Sequence, residues 1–317
     1  MSTKSTDNPS MNAKAWFMLI ILAVLWGGSF FFVEIAVEAI PTFTLVLLRV
    51  GLGAFGLWCY LLLRRRTLPW RLTFWWPFFV MALLNNAVPF SLLVWGQSHI
   101  AGGLASILNA TTPFFAVIVA SLLVQEEKLT LIRVIGATIG FLGVAVLIGP
   151  DILSTLGDSV LAQIACLGAA LSYAFAGVFA RKSSIFRTAP DQAATAQLTA
   201  ATVLLLPVTM IADSPTELTI PSFWVVGAIL GLGFLATSCA YVLYFKILAS
   251  AGAVNLLLVT FLVPVTAMFL GVAVLGEVIS ETQVLGAVAI AIALCVIDGR
   301  LVSYVLDLLS PHRRKAS

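Results

Sequence analysis

The chain has 317 residues, of which 61% are hydrophobic and 10% charged, with a net charge of +3. A soluble domain carries roughly 25% charged residues, so this composition excludes a soluble globular protein and points to a membrane. No segment alternates polar and apolar residues over strand length, which excludes an outer-membrane barrel.

Residues 1–14 are polar and read as a disordered cytoplasmic N-terminus. Ten apolar runs follow, at 15–37, 42–63, 74–96, 101–124, 130–149, 160–180, 190–212, 221–246, 252–275 and 281–299. A helix needs ~20 residues to cross a ~30 Å hydrocarbon core, and the runs match that length. The first run is too long for a signal peptide, lacks a cleavage site and precedes further spans, so it reads as retained. The tail, 301–317, is expected on the cytoplasmic side, opening as a short interfacial helix before its basic end. Cys59, Cys166, Cys239 and Cys295 all fall inside predicted spans, as packed small residues rather than disulfides or metal ligands.

Charge sets the orientation. With the N-terminus inside, sixteen of the seventeen basic residues fall on inner segments, and the outer loops carry only acidic ones. Cytoplasmic loops collect Lys and Arg, so both termini are predicted to be cytoplasmic.

The chain is also built twice. Ala101–Gly149 is echoed from Gly252 on: Pro113 maps to Pro264, Glu126 to Glu277 and Asn109 to Thr260 at one offset. Repeats of five spans must lie in opposite orientation. The predicted fold is therefore an all-α integral membrane protein with ten transmembrane helices as two inverted five-helix repeats, 15–150 and 160–300. This is a common arrangement of secondary transporters, with the site where the repeats meet.

At this point the residues carry a family resemblance. Trp26-Gly27-Gly28-Ser29 opens the first half, Arg49 lies in the second span, and Thr111-Thr112-Pro113, Glu126, Gly136, Gly140 and Gly143 close it. Tyr173, Gln197, Pro264 and Glu277 are the second-half counterparts. In order, spacing and duplication the chain resembles the EamA-type drug/metabolite transporter superfamily over nearly its whole length. The resemblance implies movement of small metabolites, often outward, including amino acids and their derivatives. It does not name a cargo.

The proline positions suggest a site. A proline inside a helix frees the carbonyl four residues earlier, and in lipid that carbonyl needs another partner. Pro89, Pro113 and Pro264 free the carbonyls of Asn85, Asn109 and Thr260, each with a polar side chain of its own. Pro207 frees Val203, where nothing polar accompanies it. One reading makes these residues a substrate-facing lining with gating kinks; the other makes them satisfiers of broken helices and interhelical glue. Trp26 and Tyr173, with Phe90 and Tyr241, are candidate walls for a substrate, or else packing residues. The sequence-level substrate site is thus Trp26, Asn85, Asn109, Tyr173 and Thr260, with hinges at Pro89, Pro113 and Pro264.

Two embedded charges remain. Arg49 is the one basic residue inside a span, and Glu34 is the nearest carboxylate in depth. Arg49 is either a binder of a ligand carboxylate or a structural or snorkelling cation; its uncharged counterpart, Gln197, favours the structural role. No Asp or Glu sits at mid-depth, which argues against proton coupling through a central carboxylate. Glu34→Gln is accordingly expected to leave proton dependence unchanged. Glu126 and Glu277 read as loop and helix-start fixtures, with a capping box at Ser280–Gln283.

An intramembrane enzyme needs a nucleophile with its base, or a metal with ligands. The histidines are His99 and His312, neither near metal-ligand partners, so no enzyme, metal or cofactor is expected. A passive pore or structural membrane subunit is the third class, but no ring of charges or filter motif is present. The expected partners are a small-molecule substrate and the lipid bilayer, with no nucleic acid. A homodimer through small-residue faces such as Gly136–Gly140 and Gly227–Gly231 is open. The expected location is the cytoplasmic (inner) membrane of a bacterium.

Overall fold

The long apolar runs become helices because a backbone in hydrocarbon must satisfy its own hydrogen bonds. The computed structural model describes residues 13–123, 131–148, 158–183, 185, 188–215, 218, 220–256 and 259–298. In chain order the helices are α1 (Ala13–Val37), α2 (Thr42–Leu63), α3 (Leu72–Ala82), α4 (Val88–Gln97), α5 (Gly102–Asn109), α6 (Thr112–Leu123) and α7 (Leu131–Ile148). They continue as α8 (Asp158–Lys182), α9 (Pro190–Ala212), α10 (Phe223–Leu230), α11 (Ala240–Leu256), α12 (Val259–Leu270) and α13 (Glu281–Asp298). No strand occurs among the described residues. Seven helical stretches are long and apolar enough to cross a membrane, and three shorter apolar helices accompany them among the described residues. The protein is an all-helical integral membrane protein.

Among the described residues three π-helical stretches interrupt the regular winding. Leu83–Ala87 joins α3 to α4, Gly231–Cys239 joins α10 to α11, and Gly271–Leu275 follows α12. The first absorbs Pro89: widening the turn lets the Val88 N–H donate to the Leu83 carbonyl, five residues back. In the second, the Thr237 hydroxyl donates to the Leu232 carbonyl at 2.8 Å, and the Ser238 hydroxyl donates to the Gly233 carbonyl at 3.3 Å and across to the Gly53 carbonyl at 2.9 Å. Its start lies 148 residues after the first (231 − 83), the separation that relates Arg49 to Gln197 (197 − 49).

Small residues set the closest crossings. α9 packs on α2, and its Ala194, Ala196, Ala200 and Ala201 are buried. A carbon added at Gly53 of α2 would sit 2.6 Å from Thr237 Cγ2, and one added at Gly27 of α1 would sit 2.6 Å from Thr266 Cβ of α12. Gly143 brings α7 against Ala289 of α13, and the Phe114 ring occupies the space beside Gly140. Gly227 faces open space. Bulky apolar side chains also cover the outside, with Phe17, Leu63 and Ile211 well exposed, as lipid permits, while Phe78 and Phe114 are buried.

The helix contacts come in exchanged pairs. α1 packs on α12 while α8 packs on α5 and α6; α1 packs on α11 while α8 packs on α4; α2 packs on Gly231–Cys239 while α9 packs on α3. The pairs α2–α9, α5–α12 and α7–α13 each join corresponding spans of the two halves. At one end of the bundle Asp213 accepts from the Thr44 N–H at 2.6 Å and from its hydroxyl at 2.9 Å. At the other end Arg66 pairs with Asp191 at 2.8 Å, and Lys182 reaches the Leu123 carbonyl. The capping box forms in both directions: Ser280 N–H donates to Gln283 Oε1 at 3.0 Å, and Gln283 N–H to Ser280 Oγ at 3.2 Å. α11 runs to Leu256, beyond the expected span end at Lys246, because nothing in the alanine-rich continuation stops a helix. Glu126 lies outside the described residues.

Candidate functional site

Polar side chains from both halves converge inside the bundle. Arg49 is 8% exposed, although it is a cation in the middle of α2. Its guanidinium lies 3.8 Å from the centroid of the Phe90 ring, and its Nε donates a long bond of 3.4 Å to Thr237 Oγ1. Tyr173 and Tyr241 are its electrostatic neighbours. Beside it, Gln197 Nε2 donates to Asn86 Oδ1 at 2.6 Å, and Asn86 Nδ2 donates to the Tyr241 hydroxyl at 3.4 Å. Asn86 is wholly buried and Gln197 nearly so.

The π-helical stretches build this cluster. The first turns Asn86 inward from between α3 and α4, and the second presents Thr237 to Arg49. Such local bulges often occur at functional sites, because they re-aim side chains without ending the helix.

Charge balance separates this cluster from an ordinary packed core. Among the described residues the one ion pair is Arg66–Asp191, so no carboxylate there neutralises Arg49. A central arginine costs ~3 kcal/mol on insertion scales. A desolvated cation–π contact returns about 2 kcal/mol. The site is therefore a sheltered positive charge framed by an aromatic face, two amides and two phenols, a set of donors suited to an anionic group.

The sequence-predicted residues fall in different places. Trp26 stacks obliquely on Tyr244, with centroids 5.8 Å apart, and Tyr244 and Tyr241 both lean on Phe245. Trp26 and Tyr173 thus border the cluster through aromatic neighbours and Arg49 respectively. Asn85 is half-buried in the first π-helical stretch, and it is its neighbour Asn86 that enters the cluster. Asn109 is the last residue of α5; its carbonyl, freed by Pro113, accepts from the Thr112 hydroxyl at 2.7 Å. The Asn109 Oδ1 is buried without a partner. Thr260 is half-buried near the start of α12. Pro113 separates α5 from α6, whereas Pro264 lies inside an unbroken α12.

Glu34 and Arg49 do not meet. The Glu34 carboxylate instead lies by Gly102 at the start of α5, with Glu277 and Glu38 as its charged neighbours. Gly276, at φ 71°, turns the chain so that Glu277 folds back against Gly271 and Gly103. Burial pushes the Glu277 carboxyl above the ordinary carboxylate range, and the Gly103 and Gly102 amides act against that shift.

Two clefts open at opposite ends of the bundle. One, of about 510 Å³, is lined by Ile40, Thr42, Phe43, Ser91, Trp95 and Asp213. The other, of about 230 Å³, is lined by Leu57, Tyr60, Arg64, Asp191, Phe245 and Lys246. Ser91 of the first cleft follows Phe90 on α4, and Phe245 of the second contacts Tyr241, while the residues of the Arg49 cluster line neither cleft.

Sequence reasoning missed Asn86, Thr237 and Tyr244. The adjacent asparagines were a signal, but freed carbonyls point to Asn85, and only the winding of the helix decides which of two neighbours faces inward.

Comparison with known proteins places this architecture. The model of the EamA-like transporter family matches residues 13–149 and 160–298. The chain is 25% identical over 273 residues to the uncharacterized transporter YoaV of Bacillus subtilis (strain 168), covering 86% of this chain and 92% of that protein. It is 28% identical over 290 residues to the uncharacterized inner membrane transporter YedA of Escherichia coli (strain K12), covering 87% and 88%. A solved crystal structure superposes with a TM-score of 0.64 at 18% identity, covering 93% of this chain and 99% of that one, which shows a shared fold. The matched family model spans both halves of the helical bundle, and the chain belongs to the EamA-like transporter family.

Proposed function

We propose that this protein is a secondary transporter that carries a small organic solute with an anionic group, such as an amino acid or a related carboxylate, outward by alternating access. The observation that carries the substrate class is Arg49: a buried cation, unneutralised among the described residues. A substrate carboxylate would supply the missing charge and accept two parallel bonds from the guanidinium. Asn86, Gln197, Tyr173 and Tyr241 would orient it, and Trp26 would close one wall. Asn85, Asn109 and Thr260 would add polar edges, with Asn109 Oδ1 left without a partner for a donor on the substrate.

The proposed frame is ten spans in two inverted five-helix repeats, with both termini cytoplasmic. The exchanged helix pairings and the 148-residue spacing of the π-helical stretches support it. Rocking of one repeat on the other would open each cleft in turn, with Pro89, Pro113 and Pro264 as flexible points. The basic residues support the orientation, and alkaline phosphatase fused after Ser317 is expected to be inactive.

The test is flux in liposomes. Solutes with a free carboxylate should show saturable, competable transport, their amides should not, and Arg49→Gln should abolish the difference. Equal transport of acid and amide by the native protein would remove the anionic-substrate reading.

A further inference from the structure

Away from Arg49, a second buried polar group stands unused. It lies where the end of α1, the end of α4, the start of α5 and the turn after Gly271–Leu275 meet. Four observations locate it. A carbon added at Gly102 would sit 3.1 Å from Gln97 Oε1 and 3.3 Å from Glu34 Oε2, so both oxygens border the same space beside Gly102. Both atoms are buried and neither has a hydrogen-bond partner. Gln97 is 5% exposed. A carbon added at the next residue, Gly103, would sit 2.8 Å from Glu277 Oε2, so the second half of the chain brings its own carboxylate to the same helix start.

Two buried acceptors that border one space without a donor are unfavourable, since each leaves a desolvated lone pair unmatched. Turning the Gln97 amide over does not cure this, because its Nε2 donates to the Leu93 carbonyl at 3.4 Å and the exchange would set two oxygens against each other there. A metal cation is disfavoured, because the start of a helix is its positive end. A proton resolves the conflict: placed on Glu34 Oε2, it makes that oxygen a donor to Gln97 Oε1 and removes one of two like charges.

We propose that Glu34, Gln97 and Glu277 form a proton-binding site that fastens this end of the bundle shut. In the protonated state Glu34 donates to Gln97, while the Gly102 and Gly103 amides serve the remaining carboxylate oxygens. Loss of the proton leaves two carboxylates and an amide oxygen facing one another, and that drives α1 and the turn carrying Glu277 away from α5. The charged groups around the site are Glu34 and Glu38 from the α1 side and Glu277 from the turn after α12. None of the charged neighbours of Glu34 is basic. The site lies near the end of the bundle, consistent with the lack of a carboxylate at mid-depth. It reverses the expectation from sequence that Glu34→Gln is silent towards protons.

Infrared difference spectroscopy of the full-length protein in liposomes, stepped through pH, tests this directly. The expected result is a carboxylic-acid C=O band that titrates in the native protein, is lost in Glu34→Gln, and titrates at lower pH in Gln97→Leu, which removes the acceptor. Glu34→Gln keeps a donor towards Gln97 and should fold; should it fail to fold, Glu277→Gln serves, with its change in like-charge repulsion moving the band to lower pH. A titration indistinguishable among all these proteins overturns the proposal, and so does a spectral change that follows sodium concentration at constant pH.

Discussion

The Arg49 guanidinium lies face-on to the Phe90 ring, 3.8 Å from its centroid, and holds a charge that no carboxylate among the described residues matches. This pairing joins the two functions of the site, since the ring stabilises the cation without occupying the donors an anion would use. A buried charge without a countercharge carries its desolvation cost uncompensated, so exchanging it for an apolar side chain of similar size favours the folded state. Arg49→Met is therefore expected to keep or raise the melting temperature while removing saturable flux. A large loss of stability with flux retained would make Arg49 structural instead.

Gln197 and Asn86 should be coupled energetically. Their 2.6 Å bond is fully enclosed, so Gln197→Leu strands the Asn86 oxygen and should cost roughly 1–3 kcal/mol. Adding Asn86→Leu should recover part of that loss. Unfolding of the two single variants and the double variant gives the coupling, and strict additivity would contradict the bond.

Gly27 and Gly28 provide a matched pair. A methyl at Gly27 would meet the Val263 carbonyl at 2.9 Å and the Ala267 nitrogen at 3.0 Å, both rigid backbone, whereas at Gly28 the nearest atom is 3.9 Å away. Gly27→Ala should force α1 off α12 and destabilise by about 1–3 kcal/mol, the usual cost of overpacking. Gly28→Ala should fall within about 0.5 kcal/mol of the native protein in the same thermal assay.

Pro113→Ala should act on rate. The chain stops at Asn109 and restarts at Thr112, and the Thr112 hydroxyl already satisfies the freed carbonyl. Restoring the amide lets α5 and α6 merge and stiffens this point, so turnover should fall more than affinity. Asn109→Ala and Thr260→Val should do the reverse, weakening binding by calorimetry. Unchanged affinity in both would remove these residues from the proposed site.

The pH dependence has a defined sign at Glu277. Burial raises its carboxyl in the folded protein, so the native state binds the proton more tightly than the unfolded chain. Stability from this group is fully present below the ordinary carboxylate range and is lost as pH rises through the raised folded value. Melting temperature should fall across that window, and Glu277→Gln should flatten the slope. A slope identical in the variant would show that Glu277 does not titrate there.

The sequence by itself determined the membrane setting, the helical class and the family. Those follow from hydropathy, from sterics along one chain and from a repeat that survives as matched Pro113 and Pro264, Glu126 and Glu277. It also marked Arg49, Phe90, Tyr173, Trp26 and Tyr241, because a cation or large ring in an apolar run is visible without coordinates. What only the tertiary structure decided was who meets whom. Depth along the sequence made Glu34 the nearest carboxylate to Arg49, yet Glu34 lies at Gly102 and Arg49 stacks on Phe90. Freed carbonyls pointed to Asn85, yet the π-helical winding turned Asn86 inward. Gln97 carried no signal at all, and only the structure shows its buried oxygen bordering the same space as Glu34. Periodicity and composition report how each residue suits its solvent, whereas rotation of a helix about its axis, and the partner thereby faced, are set by packing between segments far apart in the chain.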